Sequence, residues 1–247
     1  MKRINAYNVK YNVLNHQIRQ AVLEGNDKIV LDSVFGQYYI GCGIAKPVEI
    51  VINGVPGNDL GAFMEGPIII VNEDAQDGIG NTMSSGEIII HGNAGDVLGY
   101  SMRGGSIFVK GNVGYRACIH MKAYKEDISP TVVIGGCAGA FMGEYMAGGT
   151  LILLGLNRDK KRLTGNYVGT GMHGGSIFVR EGLDENLCSQ EVLIGKPDDK
   201  DMQKILTNVK KFCDIFGFDC DKIIKDEFIK ITPKSKRPYG NLYIPGP

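Results

Sequence analysis

The sequence of 247 residues lacks four features that would assign it to a common functional class. It has no excess of either charge, with 27 basic and 27 acidic side chains, so it indicates neither a nucleic-acid-binding surface nor an acidic tail. No apolar run approaches the roughly 20 residues that span a bilayer. The basic start Met1-Lys2-Arg3 precedes residues too polar for a signal peptide. We therefore expect a cytoplasmic protein that binds neither nucleic acid nor membranes.

The fourth missing feature is a close pair of cysteines. The chain has six cysteines, and no two of them have the Cys-x-x-Cys spacing that indicates a zinc site or an iron–sulfur cluster. We expect reduced and mostly buried thiols, and no metal site.

Glycine, by contrast, is abundant, with 35 residues, and many of the glycines recur in register with six methionines. The first three intervals between these methionines are 19 residues each, and the last two are 25 and 26. A fixed period of this kind marks an internal repeat, which takes precedence over any local motif. The repeat residues are Gly54, Gly57, Gly61, Met64, Gly80, Met83, Gly92, Gly95, Gly99, Met102, Gly111, Gly114, Met121, Gly136, Gly139, Gly143, Met146, Gly165, Gly169 and Met172.

A short strand-like run lies five to seven residues after five of the six methionines. Helical repeats are excluded, because glycine costs about 1 kcal/mol at each helical site. Short β-branched runs between glycine turns at a constant period favour an all-β fold, a single-stranded parallel β-helix with a height of about seven coils. The five runs are 69–71, 88–90, 107–109, 151–153 and 177–179.

Both ends of the chain are predicted to flank this solenoid with α-helices. Asp199 to Phe216 has apolar residues at spacings of three and four, and a shorter helix is expected around Asn15 to Glu24. Phe228 to Thr232 reads as a strand. The predicted division is a cap segment at 1–34, the β-helix at 35–198, and a helix with an extended tail at 199–247.

Alternation along the strand runs predicts two apolar columns. The methionines form an inward column, and the middle strand residues form an outward column that must be covered. The helix at 199–216 is able to cover it. The two longer intervals predict surface insertions at 123–128 and 157–162. The outward column consists of Ile70, Ile89, Phe108, Ile152 and Phe178.

Two features resemble those of cofactor-binding or metal sites, a G-x-G-x-x-G segment and three histidines, but the repeat explains them better than a chemical role does. Residues 169–174 match G-x-G-x-x-G, yet they lead into a strand rather than a helix, which argues against dinucleotide binding. His91, His120 and His173 stand at different offsets from their methionines, so they do not form a metal-binding column. We assign no catalytic, cofactor-binding or metal-ligating residue. The candidate contact patch is Arg116, His120, Lys122 and Tyr124, around the least regular copy.

The glycine succession, the stretches 58–64 and 111–122 and the ending Arg237-Pro238-Tyr239-Gly240 resemble the GXGXG domain at the C-terminal end of the glutamate synthase large subunit. The resemblance implies a right-handed β-helix that carries no catalytic residue and no cofactor of its own. It implies a scaffold that joins a glutamine amidotransferase part to a synthase part with FMN and an iron–sulfur cluster. The chain is similar to the split form of that enzyme, in which the domains are separate subunits, and a homo-oligomer is possible.

Three alternatives stay open. The same β-helix resembles the β-helical subunit of formylmethanofuran dehydrogenase, a tungsten or molybdenum enzyme. A free-standing enzyme with a site around Arg116, His120 and Lys122 belongs to a second class. A generic β-helical interaction module is the third.

Overall fold

The computed structural model describes residues 1–124, 128–158 and 162–237. Parts of both predicted insertions and residues 238–240 of the closing motif therefore lie outside the described residues. The strands are β1 (Lys2–Asn5), β2 (Lys28–Phe35), β3 (Glu49–Val55), β4 (Glu65–Val71), β5 (Ser85–Ile90), β6 (Ser106–Val109), β7 (Thr131–Ile134), β8 (Ala147–Leu153), β9 (Gly174–Arg180), β10 (Val192–Gly195) and β11 (Phe228–Pro233). The α-helices are α1 (Tyr11–Leu23), α2 (Asp199–Phe216) and α3 (Cys220–Ile224), and a 3-10 helix spans Glu185–Leu187.

The strands form one sheet in the order β1-β2-β3-β4-β5-β6-β7-β8-β9-β11-β10. From β1 to β9 each strand pairs in parallel with the strand that follows it in the chain. The repeat sets the register, because Ile69 pairs with Ile88 and Ile88 with Ile107. All five predicted strand runs lie within these strands. The 19-residue period is thus the distance along the chain from one strand to its neighbour.

The predicted fold class, an all-β single-stranded right-handed parallel β-helix of about seven coils, is wrong. The described residues form a single 11-stranded mixed sheet with α-helices, in which β9 pairs antiparallel with β11, and β11 with β10. The reason lies in the composition of the repeat, which contains one β-branched run and therefore one strand. The glycine-rich remainder pairs between repeats at isolated bridges such as Ala75 with Ala94, and not as continuous strands.

Apolar side chains occupy both faces of the sheet. On one face, all six repeat methionines are fully buried in the larger core cluster, as the inward column predicts. On the other face, Phe108, Ile152 and Phe178 pack against Val209 and Phe212 of α2. This confirms that α2 covers the outward column over these three strands. In β6, β8 and β9, which are buried on two sides, all three consecutive apolar residues contribute to a core. In β4 the middle residue Ile70 is only half-buried and belongs to neither core cluster.

Helix α2 has the bounds that its periodicity predicts. A capping box between Asp198 and Asp201 begins the helix, and Gly217 in the left-handed conformation ends it. Lys211 pairs with Glu87 on the sheet, and this contact fixes the helix against β5. Helix α1 begins four residues earlier than predicted, at Tyr11. None of the helices in the described part of the chain is long and apolar enough to cross a bilayer.

Candidate functional site: an exposed aromatic and cationic face

The five residues before each repeat methionine form a turn, called here a methionine turn, with an alternating backbone. Its first, third and fifth residues have positive φ in all six copies. The φ values lie between 51° and 72° in this set. The residues are Asp59, Gly61 and Phe63; Gly78, Gly80 and Thr82; Val97, Gly99 and Ser101; Arg116, Cys118 and His120; Phe141, Gly143 and Tyr145; Tyr167, Gly169 and Gly171.

Backbone hydrogen bonds stack these turns on one another. In the fourth turn the Arg116 nitrogen donates to the Ala140 carbonyl of the next repeat at 2.9 Å, and the His120 nitrogen donates to that of Glu144 at 3.0 Å. The Cys118 nitrogen donates the opposite way, to the Leu98 carbonyl of the preceding repeat at 2.7 Å. The same alternation holds the first and fifth side chains of successive turns in two columns.

In the last three turns, five of the six column positions carry an aromatic or cationic side chain. We call this surface the aromatic face, formed by Arg116, His120, Phe141, Tyr145 and Tyr167. The Phe141 and Tyr167 rings stack with centroids 4.9 Å apart, and the His120 and Tyr145 rings stack at 5.2 Å. The Tyr167 side chain is 55% exposed. The face is therefore an ordered set of rings that is open to solvent.

Arg116 contacts two residues of the next turn, Glu144 and Phe141. Its Nε donates to Glu144 Oε2 at 2.9 Å, and its Cζ lies 4.8 Å from the centroid of the Phe141 ring. Glu144 is only 8% exposed, so the ion pair satisfies a buried carboxylate. The guanidinium also makes a cation–π contact on its other side. Both contacts restrain a long side chain that is itself close to half exposed.

The structure brings together two members of the predicted contact patch and separates the other two. Arg116 and His120 both belong to the aromatic face. Lys122 is exposed directly after Met121, and Tyr124 lines a different cavity, beside Ser84 and Arg103. The residues that sequence reasoning missed are Phe141, Tyr145 and Tyr167. A signal for them was present, because they share the offsets of Arg116 and His120 from their own methionines.

The six cysteines are free, and two of them, Cys118 and Cys213, are fully buried. Burial raises the pKa of the Cys118 thiol well above its ordinary value, that of Cys188 to about 11 and that of Cys213 to about 12. A thiol with a raised pKa stays protonated at neutral pH and is a poor nucleophile. The raised pKa values argue against a nucleophilic role for these three cysteines.

The three histidines of the repeat region lie in separate contacts. His91 packs edge-on against Phe216, His120 stacks on Tyr145, and His173 Nδ1 lies 3.1 Å from the Gly171 carbonyl oxygen. Among the described residues, no group of three potential metal ligands occurs. The G-x-G-x-x-G segment runs directly into the strand β9, as the repeat register predicts, so its glycines do not open a helix.

Comparison with known proteins places this geometry in a family context. The model of the GXGXG motif family matches residues 14–237, in agreement with the resemblance seen in the sequence. The chain is 47% identical over 251 residues to the uncharacterized protein MJ1350 of Methanocaldococcus jannaschii, a match that covers 98% of this chain and 96% of that protein.

The fold of the present chain is similar to that of a chain in the formyltransferase/hydrolase complex FhcABCD from Methylorubrum extorquens. The structure of that complex was determined with methylofuran. The TM-score is 0.63 at 19% identity, and the match covers 91% of this chain and 88% of that chain. At this identity the likeness is one of fold.

Proposed function

We propose that this chain, which belongs to the GXGXG motif family, is a scaffold subunit of a multi-subunit enzyme. It binds partner subunits through its surface and leaves the chemistry to them. The aromatic face carries the proposal. Tyrosine and arginine are enriched at the energetic centres of protein interfaces, and here they are grouped, ordered and exposed.

The backbone of the aromatic face supports the same interpretation. Arg116, Phe141, Tyr145 and Tyr167 adopt positive φ, which costs a residue with a Cβ atom roughly 1–2 kcal/mol. The same positive φ occurs in all six methionine turns, so the stacked turns themselves hold these side chains in fixed positions. Because stacked turns fix the rings in advance, a partner would lose less conformational entropy on binding them.

The contacts of the reactive groups also favour a scaffold over a free-standing enzyme. Arg116 is paired with a buried carboxylate, and His120 stacks on Tyr145 and meets Tyr100 edge-on. These side chains are engaged as contacts within a surface. An enzyme site built on Arg116, His120 and Lys122 finds less support, since Lys122 lies outside that surface.

Two assemblies are candidates for the partners. The first is an assembly that acts on formylmethanofuran-type substrates. It is supported by the similar fold of a chain in the formyltransferase/hydrolase complex, which matches nearly all of the present chain. The comparisons favour this assembly more directly. The second is glutamate synthase, with a glutamine amidotransferase and an FMN and iron–sulfur synthase as separate partners. Its support is the resemblance carried by residues 58–64 and 111–122.

Co-purification from the native cell tests both the scaffold and the choice of assembly. We expect a tagged chain to retain stoichiometric partners, which mass spectrometry then assigns either to a formyltransferase and a metal-dependent dehydrogenase or hydrolase, or to an amidotransferase and a flavoprotein. The chain purified alone should be colourless and should not form glutamate from glutamine and 2-oxoglutarate. Stoichiometric flavin, or turnover by the isolated chain, would overturn the scaffold proposal.

A further inference from the structure

A cavity lies on the residues that directly follow the methionines, none of which belongs to the aromatic face. Glu65, Ser84 and Arg103 take this position in three consecutive repeats. The Ser84 nitrogen donates to the Met64 carbonyl at 3.0 Å, and the Arg103 nitrogen donates to that of Met83 at 2.8 Å. Backbones paired in this way are about 4.8 Å apart, so the three side chains form a row.

Tyr124 and Ile128, which lie on the longer segment after Met121, border one side of this row. Ile128 contacts the backbone beside Arg103, since a Cβ on Gly104 would lie 2.7 Å from Ile128 Cγ2. Together with Tyr124 it makes an apolar wall opposite the polar row. The result is a cavity of about 490 Å³ lined by Glu65, Ser84, Ser85, Arg103, Tyr124 and Ile128.

Arg103 lines this cavity and has an unmet hydrogen-bonding requirement. Its Nε is buried without a hydrogen-bond partner, the one such side-chain nitrogen or oxygen among the residues that the structure describes. A buried donor without an acceptor is costly, more so when it carries charge. A guanidinium offers donors in a planar fork that matches a carboxylate. The group that best completes this site is therefore a carboxylate.

Glu65 restricts what that carboxylate can belong to. It lies at the other end of the row, two repeats or about 10 Å of backbone from Arg103. It forms no ion pair with any described residue. A simple anion would be attracted by Arg103 and repelled by Glu65, and a simple cation the reverse. A ligand with both charges interacts favourably with both ends.

We propose that this cavity binds a free α-amino acid as its zwitterion. The Arg103 guanidinium donates to the α-carboxylate, Glu65 accepts from the α-ammonium group, and the hydroxyls of Ser84 and Ser85 lie between the two charges. Tyr124 and Ile128 face the side chain of the ligand. The proposal does not depend on the identity of the partner subunits.

The test is a binding experiment on the full chain. Each of the twenty L-amino acids is screened by its effect on the thermal unfolding midpoint, and the best is titrated by calorimetry. We expect at least one saturable ligand. Acetate and methylammonium, which each carry half of the charge pattern, should bind at least about tenfold more weakly, because each lacks one charge-assisted contact.

Substitutions place the ligand in the cavity. Arg103→Gln and Glu65→Gln should each weaken binding about tenfold or more. Lys122→Gln is the matched control, because Lys122 holds the equivalent position in the next repeat and does not line the cavity, and its binding should be unchanged. Circular dichroism checks that each variant is folded. If Arg103→Gln does not fold, the exposed Glu65 and the half-buried Ser84 still test the site.

Three results would overturn the proposal. The first is no saturable binding of any of the twenty amino acids. The second is acetate binding as tightly as the best amino acid, which would make the cavity a plain anion site. The third is unchanged affinity in both the Arg103 and Glu65 variants. Loss of a co-purifying partner in Arg103→Gln, without amino-acid binding by the isolated chain, would assign the cavity to a partner side chain instead.

Discussion

The first three methionine turns and the last three share one backbone and differ in their side chains. The first three follow a strict 19-residue period, and their column positions include Gly78, Thr82 and Ser101. The last three carry the aromatic face, and the intervals between their methionines are 25 and 26 residues. The comparison teaches that glycine, methionine and backbone pairing determine the turn, which leaves the outward positions free to specify a surface.

If the two halves share one core, truncating a methionine in either half should have the same effect. Met102 and Met146 are both fully buried. Met102→Ala and Met146→Ala should each lower the free energy of unfolding by about 2–5 kcal/mol, through lost burial and a residual cavity. Urea unfolding of the purified chain measures both. A cost below about 1 kcal/mol for Met146→Ala alone would show that the second half is packed differently.

The third residue of the methionine turn is glycine in both halves, at Gly80 and Gly143, so a substitution at each tests whether the two turns have the same backbone. A Cβ on Gly80 would lie 2.5 Å from Ile107 Cδ1, and one on Gly143 would lie 2.5 Å from Ile177 Cδ1. Both glycines also have positive φ. Gly80→Ala and Gly143→Ala should each lower the free energy of unfolding by about 2–5 kcal/mol, the sum of backbone strain and overpacking.

Gly195 provides the control for this pair. Its φ is not positive, and nothing lies within 4 Å of its added Cβ, so Gly195→Ala should change stability by less than about 0.5 kcal/mol. Equal losses for Gly80→Ala and Gly143→Ala in urea unfolding would support one shared turn. A clear difference between them would mean that the turns are equivalent only in sequence register.

Local periodicity predicts much of this architecture, because each signal lies within one repeat or one helix. The strand runs, the buried methionine column and the bounds of α2 follow from the identity and spacing of apolar residues. The global arrangement does not follow in the same way. The reversal of β11 and β10 depends on where the chain returns after α2 and α3, and no repeat encodes that return.

The candidate site was harder to predict, because its members are far apart in sequence and belong to no motif. Arg116, Phe141 and Tyr167 share an offset from their methionines, but the intervals of 25 and 26 residues obscure it. Polar side chains also form a ladder between repeats, in which Asp74, Asn93 and Asn112 each accept from a backbone nitrogen of the next repeat, and this ladder was missed for a different reason. Asn93 Oδ1 accepts from the Asn112 nitrogen at 2.8 Å, and only the stacked backbones reveal what these side chains satisfy.

Substitutions in the two halves should differ in their effect on partner binding, although we expect equal effects on stability. Tyr167 and Phe63 are comparably exposed, at 55% and 59%, and both adopt positive φ in their turns. Tyr167→Ala should weaken partner binding by about 2 kcal/mol, the scale of an interface hot spot, whereas Phe63→Ala should have little effect.

Pull-down yield and titration against the co-purified partner measure this difference, with urea unfolding as the check on folding. Equal loss of binding in both variants would mean that the whole stack of turns contacts the partner. Loss only in Phe63→Ala would move the interface to the first half and remove the functional distinction between the halves.

The smallest expected effect is a pH dependence of stability that arises from His91, which contacts α2 from the first half of the sheet. Burial, with a smaller contribution from Lys110, lowers the pKa of His91, whose ring packs edge-on against Phe216 at the end of α2. In the unfolded chain the histidine pKa is about 6.5, so between the two values the unfolded state binds more protons. The stability contributed by neutral His91 is complete above about pH 6.5 and is lost as the pH falls through the lower folded value.

Unfolding free energies at pH 7.5 and pH 5 test this sign, with His91→Gln as the reference that has no titrating ring. The native chain should lose more stability than His91→Gln on acidification, and Lys110→Gln should reduce the excess loss, because it removes the cation that also lowers the pKa. An equal loss in the native chain and in His91→Gln would show that protonated His91 is accommodated beside α2. The contact between α2 and the first half would then be looser than the packing of α2 on Phe108 implies.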